Sequence, residues 1–459
     1  MRRRNLHLNL GLLGAVALAA VALGAAAQQA PVSIVRDTEI EETLHAEADP
    51  IFVAAGLDPK KVQIHLVGDK ELNAFSTAGL NLYINTGLIL ETKTPDQLEG
   101  VIAHETGHIA GGHVARSGAA TKAALGPMLA SIGLGILAAA AGSPEGAAAL
   151  VFSSTYFGEL GVLGYSREQE SRADQAAVTY LEKAGLSGRG LVDFFDTYRY
   201  QEVFNDAKRF PYFVDHPLSD DRIEALRVRV EHQPHAGAVD SPEAVARFEV
   251  MRAKIEAFLD GPYRTAIDYP DSDTSYPARY ARAIALYKEN DTDRAIKAID
   301  TLIAEQPKNP YLWELKGQVL FEAGRPKEAE PAHRKSVELK PDAPLLRINL
   351  GQTLLALNDP AKVDEAVGEI KQAMTAEPDN ALGWRLLAEA YDSQGRAGMA
   401  RLATAEQNFY LGQMKDARVF ALRARNLLKK DSPEWRRATD IVLASKPTAD
   451  DLKAMAQQG

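Results

Sequence analysis

The 459-residue chain contains no cysteine. That excludes disulfides, thiolate metal sites, a cysteine nucleophile and the acylated cysteine of a lipoprotein. Positive charge is also scarce: 52 Lys and Arg stand against 62 Asp and Glu, a formal charge of −10, so nucleic acid is not an expected partner. Long apolar runs are few. The first, Leu8 to Ala26, follows Arg2, Arg3 and Arg4 and closes on Ala25-Ala26-Ala27, a small-x-small site for a signal peptidase. This predicts a signal peptide at 1–27, cleavage after Ala27 and residence in a periplasm, with an uncleaved anchor as the alternative. The Arg3-Arg4 pair hints at twin-arginine export, but the rest of that pattern is poor and ordinary secretion is expected. The second run, 119–150, is dominated by Ala, Gly and Leu. Its stretch Ala123 to Ala141 has the length of a bilayer span, yet Gly126, Pro127, Gly133 and Gly135 weaken it, so a buried or membrane-touching hairpin is expected.

The length calls for two or three domains. Val35 to Ala55 reads as a helix ending near Gly56. Val62 to Val67 alternates as a strand, and Asn73 to Thr77 and Leu80 to Asn85 read as two more turned at Gly79, together a small antiparallel sheet. A strand at its edge, beside a catalytic helix, could pair with an extended substrate, or the hairpin could be purely structural.

The chemistry begins at His104-Glu105-Thr106-Gly107-His108. Side chains four residues apart on a helix lie about 40° apart on one face, so His104 and His108 can share one cation. Glu105, about 100° round from His104, is placed beside that cation as a general base for water, the zincin arrangement. Thr94 as N-cap, Pro95 in the first turn and Gln97 as a capping-box partner start the helix two turns earlier, and Val101, Ile102 and Ile109 give it a packed side. Two histidines leave zinc one protein ligand short. The metzincin position for a third histidine is Val114, and His113 lies about 180° from His104 on a continuous helix, facing away, with hydrogen bonding or packing as its role. A glutamate on a later helix is then the alternative. Glu159, Glu168 and Glu170 are candidates; only Glu170 has a carboxylate one turn on, Asp174, placed to accept an N–H from a metal-binding histidine and fix its tautomer. The other reading of Glu170 and Asp174 is a solvated acidic face.

Glu168 to Ala184 is predicted helical with Gly185 as cap, followed by helices at about Leu191 to Gln201 and Ser219 to Glu231. Composition shifts to Pro, Gly, Ala and His between Gln233 and Ser241, and a connecting helix then runs to Gly261-Pro262. Beyond it the sequence repeats. Pro307, Pro341 and Pro378 are spaced by 34 and 37 residues, and so are Ala295, Ala329 and Ala366. With Trp313, Gly317, Leu320 and Gly324 in their relative places, this is the tetratricopeptide pattern of paired helices. Gly395 with Ala400 and Gly412 with Ala417 mark two partial units, their 17-residue spacing implying a shared helix.

The motif His104 to His108 with His113, the run Ser166-Arg167-Glu168-Gln169-Glu170-Ser171-Arg172-Ala173-Asp174 and the run Asp215-His216-Pro217-Leu218-Ser219-Asp220-Asp221-Arg222 together resemble the gluzincin peptidases that include HtpX and the prenyl-protein endopeptidases. Asn73-Ala74-Phe75 and Asn85-Thr86-Gly87-Leu88 match the strand region of that family, and the resemblance spans roughly Val35 to Val230. It implies that His104, His108 and Glu170 hold one zinc ion, that Glu105 is the base, that Asp174 supports a ligand, and that His216 and Arg222 lie at the active site. His216 would donate to the oxyanion or fill the open metal position when substrate is absent. A leader and a repeat tail point to the soluble periplasmic branch. The several membrane spans of the integral-membrane relatives are missing, which removes the ground for prenylated substrates.

The expected fold is mostly α: an α+β catalytic domain with zincin-like helices and a small antiparallel sheet, then an all-α tetratricopeptide superhelix. The expected segments are a signal peptide at 1–27, a metalloprotease domain at 28–232, a linker and connecting helix at 233–270, repeats at 271–445 and a tail at 446–459. The expected function is a zinc endopeptidase of unfolded or misassembled envelope proteins, the repeats binding substrate or outer-membrane assembly machinery and 119–150 touching the membrane. Its rivals are a chaperone or assembly scaffold with a latent zinc site and, more weakly, a zinc hydrolase of cell-wall peptides.

Overall fold

The computed structural model describes residues 34–77, 79–113, 167–199, 212 and 216–457. The expected signal peptide at 1–27 and the apolar run 119–150 lie outside them. Within the described residues, no helix is long and apolar enough to cross a membrane. The chain divides into two compact units, Ala48–Val239 with the amino-terminal segment to Arg36, and Asp240–Gly459 together with Asp37–Glu47.

Four strands, β1 (Ile34–Val35), β2 (Gln63–Val67), β3 (Ala74–Thr77) and β4 (Asn81–Asn85), form a sheet in the order β1-β2-β4-β3. The sheet is mixed, not antiparallel as expected: β2 and β4 run parallel, with Leu66 beside Ile84, while β1 and β3 are antiparallel to their neighbours. Alternation reveals strands but not their order. The chain passes over the place of β4 to lay β3 on the edge, and the hairpin returns β4 into the gap. Val35, expected to begin a helix, is in β1 instead. Helix α1 (Thr38–Ala54) follows it, and its first residues are the part grouped with the second unit.

Helices α2 (Thr86–Glu91) and α3 (Pro95–Gly111) follow the sheet, then α4 (residues 167–184), α5 (Arg189–Tyr198) and α6 (Asp220–Glu231). Residues Pro95 and Gln97 to His108 of α3 are all buried, which makes it the central helix of this unit. Its neighbours approach through glycine. A Cβ on Gly100 would come within 2.7 Å of the Leu191 backbone, one on Gly190 within 2.2 Å of Asp96, and one on Gly107 within 2.9 Å of the Ala173 carbonyl oxygen. Gly107, in the middle of the metal motif, is thus what lets α4 cross against α3. On α4 the buried residues Glu170, Ala173, Asp174, Ala177, Val178 and Leu181 recur at helical spacing, so both carboxylates lie on the packed face and not on a solvated one.

The second unit begins with α7 (Pro242–Asp268), broken at Gly261, whose φ of 76° no helix accommodates. Paired helices follow: α8 (Tyr276–Lys288) with α9 (Thr292–Glu305), α10 (Pro310–Glu322) with α11 (Pro326–Leu339), α12 (Pro344–Ala356) with α13 (Pro360–Ala376), and α14 (Ala381–Ser393) with α15 (Ala397–Tyr410). Helix α15 is shared, packing on both α14 and α16 (Met414–Leu427); α17 (Pro433–Ala444) and α18 (Ala449–Gln457) end the array. Asn290, Gly324, Asn358 and Gly395 take positive φ at successive turns between helices, at spacings that reproduce the repeat. Pro307 and Pro378 accept hydrogen bonds from Trp313 and Trp384 Nε1 at 3.0 and 2.8 Å, and Pro341 accepts one from Arg347 Nε at 2.8 Å in the same relative place. Asp37–Glu47, which sequence reading gave to the protease domain, joins this unit through charge. Lys254, 2% exposed, places Nζ 2.7 Å from Asp37 and 3.1 Å from Glu39, and Tyr280 donates to Glu39 at 2.8 Å.

Candidate metal centre

Helix α3 starts at Pro95 after Thr94, but the capping box is displaced by one residue. Gln97 accepts from the Lys93 backbone N–H at 2.9 Å, and the Thr94 hydroxyl donates to Asp96 at 2.6 Å. Two turns on, the helix presents His104 and His108 on one side, their Nε2 atoms 3.1 Å apart. Helix α4 delivers Glu170, with one carboxylate oxygen 3.3 Å from His104 Nε2 and the other 3.3 Å from His108 Nε2. The turn before α6 delivers His216, whose Nδ1 lies 3.3 Å from His104 Nε2 and 3.1 Å from Glu170. These four groups are all buried and converge within 4.8 Å.

The donor chemistry fits a zinc ion. Asp174 sits 3.0 Å from His104 Nδ1, so that nitrogen carries the proton and Nε2 offers a lone pair to the centre. Donor separations of 3.1–3.3 Å match the edge of a tetrahedron with zinc-ligand bonds of about 2.0–2.1 Å. Of the glutamates weighed on sequence, Glu170 reaches the histidines. Glu168 faces outward and pairs with Arg172, and Glu159 lies outside the described residues.

His113 does not face away. Gly112 adopts a left-handed conformation (φ 63°) and ends the helix, so the chain turns back and His113 Nδ1 meets His108 Nδ1 at 3.2 Å. A continuous helix was the wrong premise. His113 therefore orients the second histidine much as Asp174 orients the first, while its carbonyl oxygen accepts from Gln169 at 3.2 Å.

Arg222 binds Asp174 through two nitrogens at 2.8 and 2.9 Å, approaches Glu170 at 3.2 Å and donates to the Pro217 carbonyl. One guanidinium thus holds the acidic helix against the turn that carries His216. The Ser219 hydroxyl accepts from the Arg222 backbone N–H and starts α6 there. Tyr212 had no signal in the sequence. Its ring stacks on His216 at 4.6 Å and its N–H donates to Leu72 at 3.3 Å, linking the His216 segment to the start of β3.

The charges are strongly coupled. Burial disfavours a charged His104, but its hydrogen bonds to the Asp174 and Glu170 carboxylates prevail and raise it to about 10. Burial lowers His108 to about 4. Glu170 and Asp174 are held below the carboxylate range because their hydrogen bonds outweigh burial. Glu105, 1% exposed and 3.4 Å from His216 Nε2, is pushed up by burial, partly offset by His216 and His104. A carboxylate kept from water and raised in pKa is suited to taking a proton and giving it back.

The cluster could hold a metal ion beside a buried carboxylate able to move a proton. Residues 37–230 match Peptidase family M48, and residues 280–344 match a tetratricopeptide repeat. The chain is a metalloendopeptidase whose residues 37–230 are similar to that family, followed by tetratricopeptide repeats. It is similar to the beta-barrel assembly-enhancing protease of Yersinia pestis, 25% identical over 77% of this chain and 72% of that one. It is likewise similar to the putative beta-barrel assembly-enhancing protease of Vibrio cholerae, 27% identical over 72% and 68%. Metalloprotease LoiP of Escherichia coli is 30% identical over 35% of this chain and 60% of its own.

Proposed function

We propose that this chain is an exported, periplasmic zinc endopeptidase that cleaves unfolded or misassembled envelope proteins, with one zinc ion held by His104, His108 and Glu170. The observation that carries the reading is the convergence of these donors beside Glu105. The metal, when bound, polarises the peptide carbonyl and acidifies water at the site. Glu105 accepts the proton of the attacking water and passes it to the leaving amine. Asp174 and Arg222 fix the direction of His104 and Glu170, and His216, within the same cluster, is placed to hydrogen-bond the developing oxyanion. The repeats supply a surface for the client or for outer-membrane assembly machinery, in line with the names of the relatives. A leader cleaved after Ala27, domain limits at 28–232 and 271–445, and membrane contact through 119–150 belong to the same reading.

One observation favours a second reading. His216 completes the donor set, and a metal site closed by four protein ligands is structural, not catalytic. In that form the chain would act as a scaffold or chaperone with a latent centre, and substrate would have to displace His216. The test is degradation of an unfolded outer-membrane protein by the mature chain, its Glu105→Gln variant and its His216→Ala variant, with zinc content measured in each. Cleavage by wild type and a loss of about 10²–10⁴-fold in Glu105→Gln at equal zinc supports the endopeptidase. Cleavage by His216→Ala alone supports latency. Zinc in all three and cleavage by none supports the scaffold.

A further inference from the structure

Beside the candidate centre, three rings line up across the sheet. His65 on β2 stacks on Tyr83 of β4 at 4.5 Å and 23°, and Tyr83 stacks on Phe75 of β3 at 4.8 Å and 5°. All three are half-buried, and His65 is steadied by Asn81 Oδ1 at 3.0 Å. Their registers pair directly, so the rings share the face opposite Leu82 and Ile84, which are buried. Among the described residues, β3 is the outermost strand, so the ladder ends at Phe75.

The same strand presents its other face to the chemistry. Helix α3, which carries Glu105, packs against β3. The hydrogen bond from Asn85 N–H to Asn73 C=O fixes the ladder phase. By alternation Phe75 bonds inward to Tyr83, while the main-chain groups of Ala74 and Ser76 point to the outer edge. The Leu72 carbonyl, next in that outward series, is the one taken by Tyr212. An extended peptide pairing antiparallel with Ala74 and Ser76 therefore sets one residue directly across from Phe75. That position is a non-hydrogen-bonded pair, where side chains on the two strands come closest. A strand added to a sheet lies about 4.8 Å away, the spacing already present between the rings.

We infer that Phe75, backed by Tyr83 and His65, is a specificity-determining residue that selects an aromatic side chain at one fixed offset from the cleaved bond. This rests on the endopeptidase reading and on substrate adding to the edge of β3. Apolar aliphatic residues would contact Phe75 less well, and a charged residue there would lose its water against three rings.

The experiment digests a proteome-derived peptide library with full-length, zinc-loaded protein and maps the cut sites by mass spectrometry. Wild type is compared with Phe75→Ala, Phe75→Leu and Tyr83→Leu, each checked for zinc content and melting temperature. The expected result is enrichment of Phe, Tyr and Trp at one offset in wild type and its loss in both Phe75 variants. KM for a peptide carrying that residue should rise roughly 2- to 10-fold, and by less for an otherwise identical peptide with leucine at that position. Phe75→Leu keeps apolar packing, so loss of preference there cannot be assigned to unfolding. Cleavage without aromatic enrichment, or enrichment that survives both Phe75 substitutions, overturns the inference while leaving the endopeptidase standing. Absence of cleavage by zinc-loaded wild type and by His216→Ala overturns both.

Discussion

The two units reach order by opposite routes. In the repeats, each structural device recurs within the helix pair that needs it, as in the six-residue step from Pro307 to Trp313, Pro341 to Arg347 and Pro378 to Trp384. At the metal centre, His104 meets His216 across 112 residues and His216 meets Glu170 across 46. Local devices can be lost one at a time. Converging donors depend on one another, since each orients a neighbour.

The largest effect expected in the repeats follows from acid. His333 is 3% exposed, with Nδ1 at 2.8 Å from the Thr353 hydroxyl, and burial holds it down to about 4. The unfolded chain takes its proton near pH 6.5 and the folded chain only near 4, so this contribution is intact above about 6.5 and is lost as pH falls through that window. The loss reaches about 3 kcal/mol once pH is below both values. Trp313, Trp384 and Trp435 are the three tryptophans of the chain and all lie in the second unit, so their fluorescence follows this unit through denaturant unfolding. His333→Gln should remove the extra acid sensitivity; an unchanged pH slope would break the assignment.

At the centre, Asp174→Asn should reduce zinc affinity roughly 10- to 100-fold in competition with a chelator, because His104 Nδ1 and Arg222 both lose their carboxylate. Arg347→Lys in the repeats removes an arginine of comparable burial from Pro341 and should leave zinc affinity untouched. An equal loss in both would erase the distinction between the units.

The smallest effect concerns a turn. Gly324→Ala, at φ 73°, should destabilise the array by about 1 kcal/mol by tryptophan fluorescence. Gly368→Ala, inside α13 with open space around it, should be neutral or stabilising by a similar amount.

The sequence by itself determined what is periodic or contiguous. The 34-residue recurrence specified the helix pairs and their turns, and four-residue spacing set His104 beside His108 and Glu170 beside Asp174, since helical geometry converts spacing directly into a shared face. Even the break at Gly261 was legible. Tertiary structure alone decided the order of strands in the sheet, the return of His113 once Gly112 ended α3, the clasp of Arg222 on Asp174 and the stacking of Tyr212 on His216. It also moved Asp37–Glu47 into the second unit through Lys254. None of these has a local period, because each depends on which distant segment the packing of the core brings alongside.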